Sequence, residues 1–209
     1  MRDSVLAIFP TFTSQFEGAL QFMYLDVLGL VTTGLGNLID PITLAIRLPW
    51  VTRTGAPATQ DQITAEWTMV KGLQDMKLRG GGAFSSITSL RLTDGGIRAL
   101  VTYRLFQNEV ILKRRFVAWE QWPADAQLGT LSIAWAAGPA WVAPHFDMLA
   151  RAGNWQPIAG PPGDANADVT CRGEAWLRDA GNPGLRPRNL ANKVLFQNAC
   201  APTDPDLVT

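Results

Sequence analysis

Two carboxylates and a hydroxyl stand close together near the start of the chain: Glu17, Asp26 and Thr32. Glycoside hydrolysis commonly needs two carboxyl groups. One protonates the leaving oxygen, and the other supports an attacking water or the developing positive charge. The two must sit in different surroundings, so that one is protonated while the other is ionised. Phe9, Phe12 and Phe16 recur at helical spacing, Pro10 suits a first helical turn, and Gly18 suits a left-handed stop. Glu17 is then expected in the last turn of a short helix, among aromatics and at the negative end of the helix dipole. Both circumstances disfavour its charged form. Asp26-Val27-Leu28-Gly29 has the Asp-first, Gly-fourth pattern of a type I turn, where backbone N–H groups and water support an anion. On these residues alone, a helix-end acid and a turn acid are equally well explained as a solvated surface group and a turn cap.

The elements around them follow from spacing. Residues 19–38 read as strands and turns, with a short strand at Leu30-Val31-Thr32-Thr33-Gly34-Leu35. Residues 39–60 carry Pro41, Pro49, Gly55 and Pro57 and read as loop, and a helical pattern returns over 64–73. After the Gly80-Gly81-Gly82 break, Thr93 or Asp94 caps a long helix reaching Phe116, with Ile97, Leu100, Val101, Leu105 and Ile111 or Leu112 inward. Residues 125–137 are apolar nearly all round, which predicts a buried helix ended by Gly138-Pro139. Helices are also expected over 146–152 and 189–196, a Pro/Gly/Asp-rich loop over 157–168, and a frayed tail from Pro202.

The segment Phe16-Glu17-Gly18, Tyr24-Leu25-Asp26 and Gly29-Leu30-Val31-Thr32-Thr33-Gly34-Leu35-Gly36-Asn37-Leu38 resembles the signature of phage-type lysozymes. That signature runs Glu-Gly, then Tyr-x-Asp, then Gly-x-x-Thr-x-Gly-x-Gly-His-Leu. Further along, Leu92-Thr93 with Tyr103-Arg104-Leu105-Phe106 is similar to the family's long connecting helix. Leu131-Ser132-Ile133-Ala134-Trp135-Ala136-Ala137-Gly138 is similar to its buried central helix, and Pro187-Arg188-Asn189-Leu190-Ala191 to its Pro-Asn-Arg-Ala region. The resemblance omits residues 39–91 and 157–185. It implies an α+β, lysozyme-like fold with a small N-terminal lobe carrying a short antiparallel sheet. A long helix would join that lobe to a mainly helical C-terminal lobe, with substrate lying between lobes of about 1–92 and 93–200 and a flexible tail over 201–209. It implies Glu17 as general acid, Asp26 as the residue that activates water, and Thr32 as the hydroxyl that helps hold it. Leu38 and Trp135 are implied as substrate contacts. The activity implied is a muramidase cutting the β-1,4 bond between N-acetylmuramic acid and N-acetylglucosamine with inversion, needing no cofactor and no metal. A lytic transglycosylase and a non-catalytic glycan- or partner-binding module are the alternatives. Two departures stand out. Asn37 replaces the family's histidine, so the ion pair at that position is lost. The stretch before Thr93 is longer than usual, enough to add a flap. Arg186 and Arg188 are both candidates for the family's basic residue near the acid.

Eighteen lysines and arginines balance eighteen acids, which leaves no basic footprint for nucleic acid. No apolar run is long enough for a membrane helix, and the first residues do not form a signal peptide. A monomer made in the cytoplasm is expected. It would reach the cell wall through a holin as an endolysin, or through a secretion system as an antibacterial effector with a cognate periplasmic immunity protein. Cys171 and Cys200 are too few for a disulfide framework or a cysteine zinc site and read as unlinked thiols. His145, the only histidine, has no nucleophile motif beside it. Gly34-Leu35-Gly36 lacks the third glycine of a dinucleotide loop. Asp164-Ala165-Asn166-Ala167-Asp168 has the opening spacing of a calcium loop but neither its sixth-position glycine nor its twelfth-position glutamate. Most of the eight tryptophans are expected in the core.

Overall fold

A computed structural model of the chain describes residues 1–160 and 184–209. It is a mixed α+β protein whose described strands are all antiparallel. The chain divides into two compact units, Met1–Phe16 with Leu105–Thr209, and Glu17–Arg104. This corrects the expected lobes of 1–92 and 93–200. The opening helix belongs with the C-terminal half, and the second boundary falls inside the long helix.

The first unit is helical. Helix α1 (Asp3–Ser14) buries Val5, Phe9 and Thr13 at four-residue spacing, and the Phe9 ring lies 5.2 Å from that of Trp135. It begins well before the sequence reading placed it, so Pro10 lies inside the helix and Gly18 lies beyond its end. Gly18 is not in the left-handed region either; Gln15 ends the helix, its N–H bonding the Phe12 and Thr13 carbonyls. Helix α5 (Ala124–Ala137) is buried from Ala124 through Trp135, as its unbroken apolar character predicts. It packs on α8 (Leu185–Ala199), and Gly129 lets the Phe196 ring approach: a Cβ there would lie 3.0 Å from the ring. Helices α6 (Pro144–Arg151) and α7 (Gln156–Ala159) also lie in this unit, with Arg115 Nη2 bonded to Asp147 at 2.5 Å. The tail from Pro202 is tied down and not frayed. Thr209 donates from its backbone and hydroxyl to the fully buried Asp125, the Pro205 carbonyl accepts from Ala124, and Asp206 pairs with Arg2. Residue types do not announce this, because backbone atoms of Ala124, Pro205 and Thr209 make part of the attachment. Burial pushes the Asp125 carboxyl up from its ordinary pKa, with hydrogen bonds from Thr209 and Asn198 working against the shift.

The second unit holds both of the described sheets. Strands β1 (Leu20–Leu25), β2 (Val31–Gly34) and β3 (Asn37–Leu38) form a meander, and β4 (Trp50–Val51) pairs with β5 (Arg91–Leu92). The expected loop over 39–60 contains α2 (Ile42–Ala45) and β4. Helix α3 (Gln60–Gly72) starts earlier than its apolar pattern indicated. Thr59 accepts from the Gln62 N–H and the Gln62 side chain accepts from the Thr59 N–H, a reciprocal cap. The long helix α4 (Asp94–Arg115) starts where predicted, with the Thr93 hydroxyl accepting from the Gly96 N–H at 3.0 Å. It gives residues 94–104 to this unit and 105–115 to the other. Ile97, Val101, Leu105 and Leu112 are buried and Ile111 is not, which resolves the alternative left open by spacing.

Candidate active site

The second unit carries Glu17, Asp26, Thr32 and Leu38; Trp135 belongs to the first. The β1–β2 hairpin positions Asp26. Its carbonyl accepts from the Gly29 N–H at 2.9 Å, and Gly29 takes φ +77°, the left-handed residue that lets a type I turn rejoin the ladder. Its carboxylate Oδ1 accepts from the N–H groups of Leu28 and Leu30, both at 2.9 Å, and among the described residues Oδ2 accepts nothing. The turn reading therefore holds, and it leaves one oxygen of a half-buried carboxylate for a further donor.

Thr32 stands opposite Tyr24 on β1 and Leu38 on β3, so these three share one face of the meander. The Thr32 side chain is buried, with Oγ1 donating to the Leu30 carbonyl at 3.2 Å; Leu38 is 42% exposed. On the other face the Thr33 hydroxyl reaches the Phe22 carbonyl at 3.1 Å, where the β1–β2 register shifts and ladder bonds are lost.

Glu17 follows α1 after two non-helical residues, Gln15 and Phe16, and is not in its last turn, so the dipole argument for its environment falls away. It lies instead against the tight turn between β2 and β3. A Cβ on Gly36 would sit 3.3 Å from Glu17 Oε2, and Gly36 itself has φ +72°. Only glycine supplies both the conformation and the space. The Gly36 carbonyl accepts from Arg104 Nη1 at 2.9 Å, and the Gly36 backbone hydrogen-bonds the Tyr24 phenol. Burial pushes the Tyr24 hydroxyl up from its ordinary pKa, and the charges of Glu17 and then Asp26 push it further. Tyr24 thus stays neutral. Burial lowers the pKa of Arg104, with Glu17 and Tyr24 opposing the shift, and the guanidinium remains a cation beside Glu17.

Arg104 was missed in the sequence, where Arg186 and Arg188 were the candidate cations. Its signal was present: with Ile97, Val101, Leu105 and Leu112 it shares the inward stripe of α4, where an arginine needs a reason. Arg188 is buried in the first unit, donating to Ser132 Oγ at 3.1 Å and lying 4.9 Å from the Phe16 ring centroid. Trp135 is only 4% exposed, packed on Phe9, which gives its ring a core role and little surface for a sugar. Asn37, at the family's histidine position, is 1% exposed. Its Oδ1 accepts from the Leu35 N–H, while its Nδ2 has no hydrogen-bond partner among the described residues.

Residues from the 39–91 stretch contact the hairpin that carries Asp26. On α3, Lys71 Nζ donates to the Gly29 carbonyl at 3.0 Å and pairs with Asp40 Oδ2 at 2.6 Å. Asp40 Oδ2 also accepts from the Val31 N–H, and Gln74 Nε2, just past the helix, donates to the Gly29 carbonyl at 3.1 Å. Among the described residues no group of three or more His, Cys, Asp or Glu side chains is placed to hold a metal ion, and no helix is long and apolar enough to cross a membrane. Cys200, at the end of α8, is exposed, whereas Cys171 and the candidate calcium loop at Asp164 to Asp168 lie outside the described residues. No family model, no curated protein and no solved structure matches the chain.

Proposed function

We propose that the chain is a muramidase of the phage-type lysozyme kind, hydrolysing the β-1,4 bond between N-acetylmuramic acid and N-acetylglucosamine. The observation that carries this reading is the common surrounding of its two acids. Glu17 lies against Gly36, whose backbone hydrogen-bonds the Tyr24 phenol; Thr32 lies directly across the ladder from that tyrosine, and Asp26 opens the turn two residues after it. A carboxyl pair in unlike surroundings is what acid-assisted glycoside cleavage requires. Here one acid faces a cation and a glycine turn, and the other is held at one oxygen by two backbone donors.

In this mechanism Glu17 gives its proton to the glycosidic oxygen. Arg104 and the Tyr24 hydroxyl stabilise the carboxylate that remains, which favours the step as charge develops. Asp26 Oδ2 takes a proton from the attacking water, and Thr32 Oγ1 helps orient that water as the anomeric carbon is approached from the opposite side. Leu38, exposed on the same face, packs against a sugar. The chain works on wall glycan in the periplasm after delivery by a holin or a secretion system. In the second setting a small exported immunity protein is its partner.

The test is dye release from labelled, purified peptidoglycan sacculi, with mass spectrometry of the products. Reducing-end muropeptides that are lost in Glu17→Gln support the reading. Anhydro-muramyl ends would instead make the chain a lytic transglycosylase. Unchanged release by Glu17→Gln, or no release by the wild-type chain, would overturn hydrolysis by this site and leave a binding module.

A further inference from the structure

We infer that α3 and the residue group after it form a built-in brace for the water-activating aspartate, with Lys71 and Gln74 as positioning residues for Asp26. The inference rests on the muramidase reading for what Asp26 does; the brace itself stands on contacts within one unit.

The hairpin that presents Asp26 is exposed at its tip, where Val27 and Leu28 are 70% and 74% accessible. A two-stranded tip of this kind is mobile when nothing holds it from outside. Its own turn bonds set the local shape of residues 26–30 but do not fix the turn in the site. The outside hold is at Gly29. That carbonyl accepts from two side chains together, Lys71 Nζ at 3.0 Å and Gln74 Nε2 at 3.1 Å, and Gln74 is itself fixed by donating to the Lys71 carbonyl at 2.8 Å. Lys71 is held in turn by Asp40, whose same oxygen accepts from Val31, the first residue of the next strand. The turn is therefore gripped at residue 29 and again at residue 31, on both sides of Leu30, whose N–H holds Asp26 Oδ1.

Packing supports the grip. Gly29 is buried, and a Cβ on it would run into the Gln74 side chain, so the glycine serves the brace as well as the turn. Neither Lys71 nor Gln74 bonds to Asp26, Glu17 or Thr32, so any effect of theirs on the reaction passes through the turn. The position of Asp26 Oδ2 depends on that turn, and a misplacement of about 1 Å at a reacting group costs roughly a hundredfold in rate. The stretch that departs in length from the resembled family thus supplies support beneath the site, where the sequence reading had expected a flap.

The test compares Lys71→Met/Gln74→Ala with Lys71→Arg in the full chain. Two measurements are made: initial dye-release rates from labelled sacculi over a range of sacculus concentrations, and amide hydrogen exchange of residues 28–30. The double variant is expected to exchange those amides at least tenfold faster, with the remaining meander amides unchanged. Its kcat should fall by about tenfold or more at an unchanged half-saturating sacculus concentration, and Lys71→Arg should stay within a few-fold of wild type on both counts. Unchanged exchange at residues 28–30 overturns the brace. Faster exchange with unchanged kcat overturns its link to the reaction, as does a fall no larger than the loss of folded protein. Failure of the muramidase reading looks different: the exchange result stands, while Asp26→Asn leaves dye release intact.

Discussion

Two acidic places in the Glu17–Arg104 unit use their carboxylates in opposite ways. Glu66, buried on α3, accepts from the Ser89 N–H and hydroxyl at 2.6 Å each and from the Leu90 N–H at 3.1 Å to both oxygens. Both of its oxygens are committed to Ser89 and Leu90, which lead into β5. A buried charge is tolerated when it is satisfied in this way, and it is then a fastener. On the meander, Asp26 commits one oxygen and keeps the other uncommitted, and Glu17 faces an arginine, a phenol and a bare glycine Cα. A carboxylate whose partners are ionisable or whose capacity is unspent can change its protonation or hold a water. On the proposed reading the contrast separates structural from chemical acids by how their oxygens are committed, with Glu66 the most buried of the three.

Substitutions at these acids can break the comparison. Glu17→Gln should give the largest effect, a loss of about 10²–10⁴-fold in sacculus dye release with the chain still folded, as expected when a general acid is removed. A smaller loss than that of Asp26→Asn would exchange the two roles. Asp26→Asn should cost about a hundredfold, because the amide oxygen still accepts from Leu28 and Leu30 while the base is gone. Circular dichroism should show both variants folded. Glu66→Gln should behave in the opposite sense. An amide nitrogen turned toward the Ser89 and Leu90 N–H groups leaves donors facing donors, at a cost of about 1–3 kcal/mol. That corresponds to a melting midpoint several degrees lower, with dye release per folded molecule unchanged. Activity lost through Glu66 at full stability would mean that saturation is no guide to role.

The same contrast explains which features the sequence disclosed. The buried α5, the Thr93 cap and the Asp26 turn each arise from neighbours in the chain, so periodicity and turn pattern reveal them. Glu17 was misplaced relative to its helix because three phenylalanines suggested a start at Pro10, whereas Val5 already belongs to the buried stripe of α1. Arg104 and Lys71 act on carbonyls 68 and 42 residues away, and a carbonyl acceptor leaves no mark on residue type, so even the inward position of Arg104 on α4 did not disclose its partner. The Asp125–Thr209 contact spans 84 residues, and its backbone donor likewise leaves no mark on residue type. Trp135 drew attention as an aromatic at a family cleft position, but its helix is buried all round and Phe9 occupies its ring face.

The smallest effect is expected at exposed apolar side chains, and it sharpens the comparison by locating the sugar. Leu38 and Met69 are almost equally accessible, at 42% and 41%, but Leu38 lies in the row of Thr32 and Tyr24, whereas Met69 lies on α3 near Glu66. Truncating either to alanine removes a similar apolar surface from a side chain already half in water, so neither should move the melting midpoint much. If glycan lies along the meander, Leu38→Ala forfeits about 1 kcal/mol of contact with it, which is roughly a fivefold rise in the half-saturating sacculus concentration at constant kcat. Met69→Ala should leave that concentration where it was. Equal responses at the two positions would mean that the substrate does not distinguish the meander from the Glu66 side. A response at Met69 alone would move the sugar path to the fold's fastened side, away from the uncommitted oxygen of Asp26.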